Sequence, residues 1–221
     1  EFQFDQSLRQ NNSTYSLTSR SSNRYKASQK ALEMLSFKYA MELVRGEDSS
    51  IRKYGEEDFI IWKYVGQAPD GQSQRSGSDQ QSCNWIVYRL ADVMLMKAEA
   101  YSQKEMYPQA FDIITKIRDR AGVGAISIAN SPTAYEDAIL NERALELAYE
   151  GKRWFDLLRM GRRNNYARKS TLIEIIVSNV PSTQKRILAT KLTNPKGWFL
   201  PIFEKEIERN KNLVQNPYYD F

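Results

Sequence analysis

Apolar residues recur at intervals of three and four positions between residues 87 and 160, a spacing that predicts consecutive amphipathic α-helices. Pro108, near the start of the second helix, and Gly122, just after its end, agree with the residue preferences of helix termini. Ser131 or Thr133 is the predicted N-cap of the third helix. The pattern therefore predicts four helices, at 87–103, 107–120, 133–150 and 152–160.

The first 85 residues have a different pattern, dominated by polar stretches. The chain opens on Glu1-Phe2-Gln3-Phe4, an alternation typical of a β-strand, so we expect it to be a fragment of a longer protein. Residues 59–65 are rich in β-formers and predict another short strand. Residues 30–44 fit either a short helix or an extended stretch. Long polar loops are predicted at 7–29 and 66–84.

The last 58 residues are predicted to be irregular. Residues 172–177 fit a strand as well as a helix, and residues 204–208 can form only one helical turn. Trp198 lies in a short apolar stretch and is predicted to be buried, as is Trp154 in the fourth helix.

The first two predicted helices fit a helix hairpin of tetratricopeptide type. Ala98 and Tyr101 lie three residues apart on the first helix, and Ala110 and Ile114 lie on the second. The small side chains of Ala98 and Ala110 would allow the helices to approach closely. An ordinary antiparallel hairpin fits the same positions equally well. A single repeat cannot bury its own face, so further helices must pack on the pair.

Composition narrows the possible functions. The chain has 221 residues, no histidine and one cysteine, Cys83, which excludes histidine-based catalysis, histidine-ligated metals and an intramolecular disulfide. Lys and Arg exceed Asp and Glu by five, and the densest basic patch is Arg162, Arg163, Arg168 and Lys169. No module typical of nucleic-acid binding accompanies that patch, so no nucleic-acid partner is expected.

A row of carboxylates lies on the third predicted helix. Glu142, Glu146 and Glu150 are spaced four residues apart, where like charges repel unless cations lie between them. Paired carboxylates also occur in glycosidases. We favour an ion-pair network and expect no catalysis, no metal and no cofactor; Glu99 is likewise expected to pair with an arginine. The cations expected to join the network are Arg89, Arg118, Arg143 and Arg153.

Three motifs carry a family resemblance. They are YRLADVMLMKAEA at 88–100, NERALELAYEGKRWFDLLR at 141–159, and FLPIFEKEIERN at 199–210 followed by QNPY at 215–218. In this order and spacing they resemble the SusD/RagB family of outer-membrane nutrient-binding lipoproteins. The resemblance implies a mainly α fold with tetratricopeptide-like helical pairs, long irregular loops and a few short strands. It also implies a binding protein that performs no catalysis.

The resemblance further implies where this protein acts. It places the chain on the cell surface, at the outer membrane, where it delivers an oligosaccharide, or in some members a peptide, to a SusC-like TonB-dependent transporter. Residues 1–221 correspond to the C-terminal half of the family, with a loop-rich segment at 1–85, helical pairs at 86–163 and an irregular segment at 164–221. The N-terminal half, with its signal peptide and lipid-anchored cysteine, is expected to lie outside this chain.

Sugar binding requires flat aromatic faces beside side chains that hydrogen-bond hydroxyl groups. In a polar loop, Tyr15 and Tyr25 have no apolar neighbours to pack against, and Trp85 lies just before a helix. Trp62 and Tyr64 lie in the predicted strand and are expected to pack there. The alternative function is a helical-repeat scaffold that binds a protein or peptide partner and no sugar. The predicted ligand-binding residues are Tyr15, Tyr25, Trp85, Asn12, Asn84 and Arg24.

Overall fold

The structure is a computed structural model, which describes residues 33–34, 45–46, 49–54, 58–61, 63 and 86–219. It confirms the predicted fold class, since most of the described residues lie in α-helices. The chain divides into two compact units, Glu1–Arg153 and Trp154–Phe221. The opening strand predicted at 1–4 lies outside the described residues.

Three helices and a β-hairpin make up the described part of the first unit. The hairpin pairs β1 (Ile51–Tyr54) with β2 (Asp58–Ile61) in antiparallel orientation, with Ile51 opposite Ile61. The strand predicted at 59–65 thus contributes residues 59–61 to β2. The helices are α1 (Leu90–Gln103), α2 (Tyr107–Arg120) and α3 (Pro132–Glu146).

The predicted helix hairpin is confirmed. Helices α1 and α2 are joined by three residues and pack against each other, and α3 packs on both. Ala98 and Ala110 are completely buried in this core, together with Leu95 and Ile114. The small alanine side chains therefore lie between helices, as their positions on the two apolar faces predict.

Three helix ends in the first unit differ from the prediction. Helix α1 begins at Leu90 and not at residue 87, because the backbone of Arg89 is extended. Helix α3 begins after Ser131, whose Oγ accepts a hydrogen bond of 3.2 Å from the Ala134 N–H, which selects Ser131 over Thr133 as the N-cap. It ends at Glu146 and not at residue 150, because Tyr149 adopts a left-handed conformation, with φ of 64°.

The second unit contains more helix than predicted. Helix α4 (Arg153–Tyr166) is broken at Arg163 and ends in three left-handed residues, 164–166. The segment after residue 163, predicted to be irregular, contains three helices and a 3₁₀ turn (Pro195–Trp198). The range 172–177, open between strand and helix, is helical. The three helices are α5 (Lys169–Ser178), α6 (Ser182–Leu192) and α7 (Glu204–Arg209).

Trp198 forms the centre of the second unit's core. It is 1% exposed, and its Nε1 donates a 2.8 Å hydrogen bond to the Leu192 carbonyl oxygen. Gly161 provides the space for this packing, because a Cβ there would lie 2.5 Å from Leu172 Cδ1 and 3.2 Å from the Trp198 ring. Trp154, also predicted to be buried, is only half-buried.

Candidate functional site

The carboxylate row lies inside the first unit. Glu142 and Glu146 are on α3, and Glu150 follows in the turn after it. Their exposed fractions are 2%, 4% and 8%, so all three charges are removed from water. A buried carboxylate is very costly unless cations and hydrogen-bond donors surround it. The cations that surround these three come from several elements and are Arg45, Lys63, Arg89, Arg118 and Arg120.

Each carboxylate is shared between cations. Glu142 contacts Arg45 Nη1 at 2.6 Å and Arg118 Nη1 at 3.1 Å. Glu146 contacts Arg45 at 3.1 Å, Arg89 at 2.6 Å and Arg120 at 2.5 Å. The guanidinium of Arg45 thus bridges two carboxylates that would otherwise repel each other. We call these residues, with Glu150 and Lys63, the glutamate cluster.

Glu150 is held from two sides. Arg89 donates to it from Nη2 at 2.8 Å and from Nε at 3.0 Å, and Lys63 Nζ lies 2.6 Å from Oε1. Both cations also donate to the Glu146 carbonyl oxygen, at the end of α3. They therefore neutralise Glu150 and cap the helix C-terminus, where positive charge is favourable.

A second buried ion pair lies beside the cluster. Arg143 Nη2 donates to Asp92 Oδ1 at 2.8 Å, and Lys152 Nζ lies 3.2 Å from Asp92 Oδ2. Of the cations predicted to join the carboxylate row, Arg89 and Arg118 are confirmed. Arg143 forms its pair with Asp92, and Arg153 donates to the Leu140 carbonyl oxygen at 2.8 Å.

Arg45, Lys63 and Arg120 were not predicted to join the cluster. The contact between Arg45 and Glu142 spans 97 positions of the chain, so no local pattern predicts it. Lys63 does carry a signal, since it is a single cation within the apolar run 59–65. A cation in such a run needs a buried partner.

The environment keeps Glu146 and Glu150 ionised. Burial alone would raise the pKa of Glu146, but hydrogen bonds and charge from Arg89, with Arg45 and Arg120, lower it below its usual value. Burial likewise opposes ionisation of Glu150, and Arg89 and Lys63 outweigh it, so its pKa is also lowered. A general acid requires a raised pKa. These carboxylates are therefore suited to holding cations and unsuited to donating protons.

The lowered pKa values predict acid sensitivity. Stabilisation by Glu146 and Glu150 is complete above their unfolded pKa of about 4.5 and is lost as the pH falls through their lower folded values. We expect the free energy of unfolding, measured by urea titration, to decrease below about pH 5. Glu146→Gln should flatten this decrease, whereas Asp112→Asn, at an exposed pair, should retain it. An equally steep decrease in Glu146→Gln would contradict the assignment.

The residues predicted to bind ligand are not among those the structure describes. Tyr15, Tyr25, Trp85, Asn12, Asn84 and Arg24 all lie outside the described ranges, as do Trp62 and Tyr64. Their roles therefore stay predictions. The glutamate cluster nevertheless includes residues on both sides of one predicted loop, because Lys63 precedes residues 66–84 and Arg89 follows them.

A groove of about 500 Å³ lies on the surface of the α1–α2 hairpin. Tyr101 forms part of it, with Lys97 Nζ 5.5 Å from the centre of its ring, and Asp112 and Lys116 form an exposed ion pair in its wall. This groove was not predicted from the sequence, since ligand contacts were expected on the loops. Its other lining residues are Met94, Pro108, Gln109 and Ile113.

Comparison with known proteins decides the family. A sequence model described as SusD family matches residues 4–219, nearly the whole chain. The chain belongs to the SusD family. The motifs at 88–100, 141–159 and 199–218 that carried the resemblance all lie within this match.

Two relatives come from Formosa agariphila. This SusD-family chain is 30% identical over 172 residues to SusD-like protein P38 and 29% identical over 145 residues to SusD-like protein P2. The alignments cover 74% and 62% of this chain, but only 29% and 26% of those relatives. The chain thus spans less than a third of the relatives' length.

Solved structures agree with the fold. A SusD superfamily protein from Bacteroides vulgatus has a TM-score of 0.50 and 27% identity, over 60% of this chain and 27% of that protein. One from Bacteroides fragilis has a TM-score of 0.59 and 23% identity, over 86% of this chain and 40% of that protein, and shows the fold. Every helix among the described residues is too short or too polar to span a lipid bilayer.

Proposed function

We propose that this chain is part of a cell-surface protein that binds oligosaccharides and delivers them to a SusC-like TonB-dependent transporter in the outer membrane. The family match over residues 4–219 is the observation that carries the proposal. Within this proposal the chain performs no catalysis and requires no cofactor. Attachment to the membrane is through a lipid anchor on a part of the protein outside these residues.

The glutamate cluster supports a binding role over an enzymatic one. Its carboxylates are enclosed by cations that lower the pKa of Glu146 and Glu150, which removes them as acid catalysts. The cluster instead attaches Arg45, Lys63 and Arg89 to the end of α3. It therefore fixes Lys63 and Arg89, which lie in the sequence on either side of the predicted loop at 66–84.

The ligand is proposed to bind the loops at 7–29 and 66–85. Tyr15, Tyr25 and Trp85 would offer ring faces to the C–H face of a sugar, while Asn12, Asn84 and Arg24 would bind its hydroxyl groups. Loops can vary in sequence without disturbing a helical core, which suits a family that selects among nutrients.

Calorimetry with a panel of oligosaccharides tests this site. We expect binding energies of roughly −4 to −8 kcal/mol, and Tyr15→Ala, Tyr25→Ala and Trp85→Ala should each cost about 1 kcal/mol or more. Phe155→Ala, an exposed aromatic side chain on α4, serves as the control and should leave the affinity unchanged. Unchanged affinity in all three loop variants would remove these residues from the site.

One observation favours the alternative of a helical scaffold that binds a protein. Helix α1 exposes large apolar side chains, including Leu90 at 75% and Val93 at 51%, beside the groove on the hairpin. Exposed apolar patches of this kind occur at protein interfaces. Leu90→Ser and Val93→Ser separate the functions, because they should abolish binding to a protein partner and leave the loop-dependent binding of sugars unchanged.

A further inference from the structure

The positive charge of this chain is concentrated in its second unit. Residues 154–221 contain 12 of the 32 Lys and Arg residues but only 6 of the 27 Asp and Glu residues. Residues 1–153 contain the other 20 Lys and Arg and 21 Asp and Glu residues. The formal net charge is therefore +6 in the smaller unit and −1 in the larger one. A segregation of this kind indicates an anionic partner for the second unit.

The charges of the second unit are accessible. Helix α6 carries Lys185, Arg186 and Lys191 without a single Asp or Glu, and all three side chains are exposed. Lys196, in the 3₁₀ turn that follows, is exposed as well. In the first unit, by contrast, cations such as Arg45 and Arg89 are used to neutralise buried carboxylates.

Another cation of the second unit, Arg162, lies against an aromatic ring. The Arg162 guanidinium carbon is 5.2 Å from the centre of the Phe199 ring, and both side chains are exposed. Lys196 lies three residues before Phe199. We call Arg162, Lys196 and Phe199 the arginine–phenylalanine patch. The neighbouring Leu200 is 82% exposed and extends its apolar surface.

Side-chain amides hold the backbone of this patch in place. Asn216 Nδ2 donates to the carbonyl oxygens of Lys196 and Phe199, both at 3.0 Å. The Gln215 side chain makes two hydrogen bonds to the backbone of Ile202. Its Oε1 accepts from the Ile202 N–H at 2.8 Å, and its Nε2 donates to the Ile202 carbonyl oxygen at 2.9 Å. These bonds stabilise an irregular segment that presents apolar side chains to solvent. Such a preorganised surface loses little entropy on binding.

We propose that the arginine–phenylalanine patch binds an acidic glycan, an oligosaccharide that carries carboxylate or sulfate groups. This inference rests on the proposed function and names a ligand class for it. The Phe199 ring would stack on the C–H face of one sugar, and Arg162 and Lys196 would pair with the acidic groups on either side. A guanidinium fork fits a carboxylate or sulfate in a bidentate manner.

Binding of defined oligosaccharides tests the proposal. Tetragalacturonic acid is the acidic probe and cellotetraose the neutral one, each titrated into the full chain at about 50 mM and about 500 mM NaCl. We expect the acidic probe to bind and to weaken markedly at high salt. Arg162→Ala/Lys196→Ala should weaken its binding about tenfold, and Phe199→Ala several-fold. Circular dichroism and melting temperatures establish that each variant is folded.

The matched control is Lys104→Ala/Lys116→Ala, which removes two exposed cations from the first unit and should change the affinity less than twofold. Equal losses in the two double variants would overturn the proposal, because binding would then follow net charge alone. No binding of the acidic probe, or binding only to phosphatidylglycerol vesicles, would also overturn it. Neutral sugars that still bind through Tyr15, Tyr25 and Trp85 would leave the proposed function intact.

Discussion

Glu146→Ala is expected to lower the free energy of unfolding by about 3–5 kcal/mol. The carboxylate of Glu146 contacts Arg45, Arg89 and Arg120 at 2.5–3.1 Å from a position that is 4% exposed. Its removal leaves the buried guanidinium of Arg45 and the partly buried one of Arg89 without their shared anion, and the cost of that desolvated charge exceeds the value of any one contact. Urea denaturation followed by circular dichroism measures the change.

Two variants make this experiment specific. Asp112→Ala breaks an ion pair of similar length, 2.7 Å to Lys116, but both side chains are more than half exposed, so a loss below about 1 kcal/mol is expected. Glu146→Gln keeps the shape and one hydrogen-bond acceptor, and its effect should be intermediate. If Glu146→Ala and Asp112→Ala destabilise the protein equally, the cluster does not hold the first unit together.

The helices were predictable where local residues determine them. Helix α2 was predicted with its correct ends, because Pro108 lies in its first turn and Gly122 adopts a left-handed conformation just beyond it. The start of α1 was not, since Val87 continues the apolar pattern while Arg89 is extended and directs its side chain to Glu146 and Glu150. A distant contact decides that boundary.

Contacts between distant residues also determine where α3 ends and why residues 172–177 in α5 are helical. Ala148 continues the apolar stripe of α3, but the chain turns at Tyr149, and Glu150 then meets Lys63 and Arg89. The β-branched residues at 175–177 made α5 ambiguous, and packing of Leu172 in the core decides it. Tertiary contacts override local preference in both places.

The candidate site was predictable in part. The four-residue spacing of Glu142, Glu146 and Glu150 indicated that arginines must lie between them, and Arg89 and Arg118 do. Arg45 and Lys63 join from 80 or more positions away, which no spacing rule detects. The arginine–phenylalanine patch also depends on a contact between separate segments, since Arg162 and Phe199 lie 37 positions apart.

Trp198→Ala is expected to destabilise the second unit by about 3–5 kcal/mol, the usual cost of truncating a buried aromatic side chain. The indole is 1% exposed, meets the Tyr166 ring edge-on at 5.6 Å between centres, and packs against the backbone of Gly161. Its loss leaves a cavity that the helices cannot fill, and it leaves the Leu192 carbonyl oxygen without the donor that now lies 2.8 Å away.

Two further variants separate these contributions. Trp198→Phe keeps a ring but removes the donor to the Leu192 carbonyl oxygen, so it should cost less than the alanine variant and more than about 1 kcal/mol. Leu200→Ala, two residues away and 82% exposed, should change stability by less than about 0.5 kcal/mol.

Hydrogen exchange locates the effect of the Trp198 variants, because the chain has two compact units. The free energy of opening should fall for the amides of residues 154–221, while the amides of the core around Ala98 and Ala110 should stay protected. Equal loss of protection at Leu95 and Leu172 would show instead that the two units unfold together.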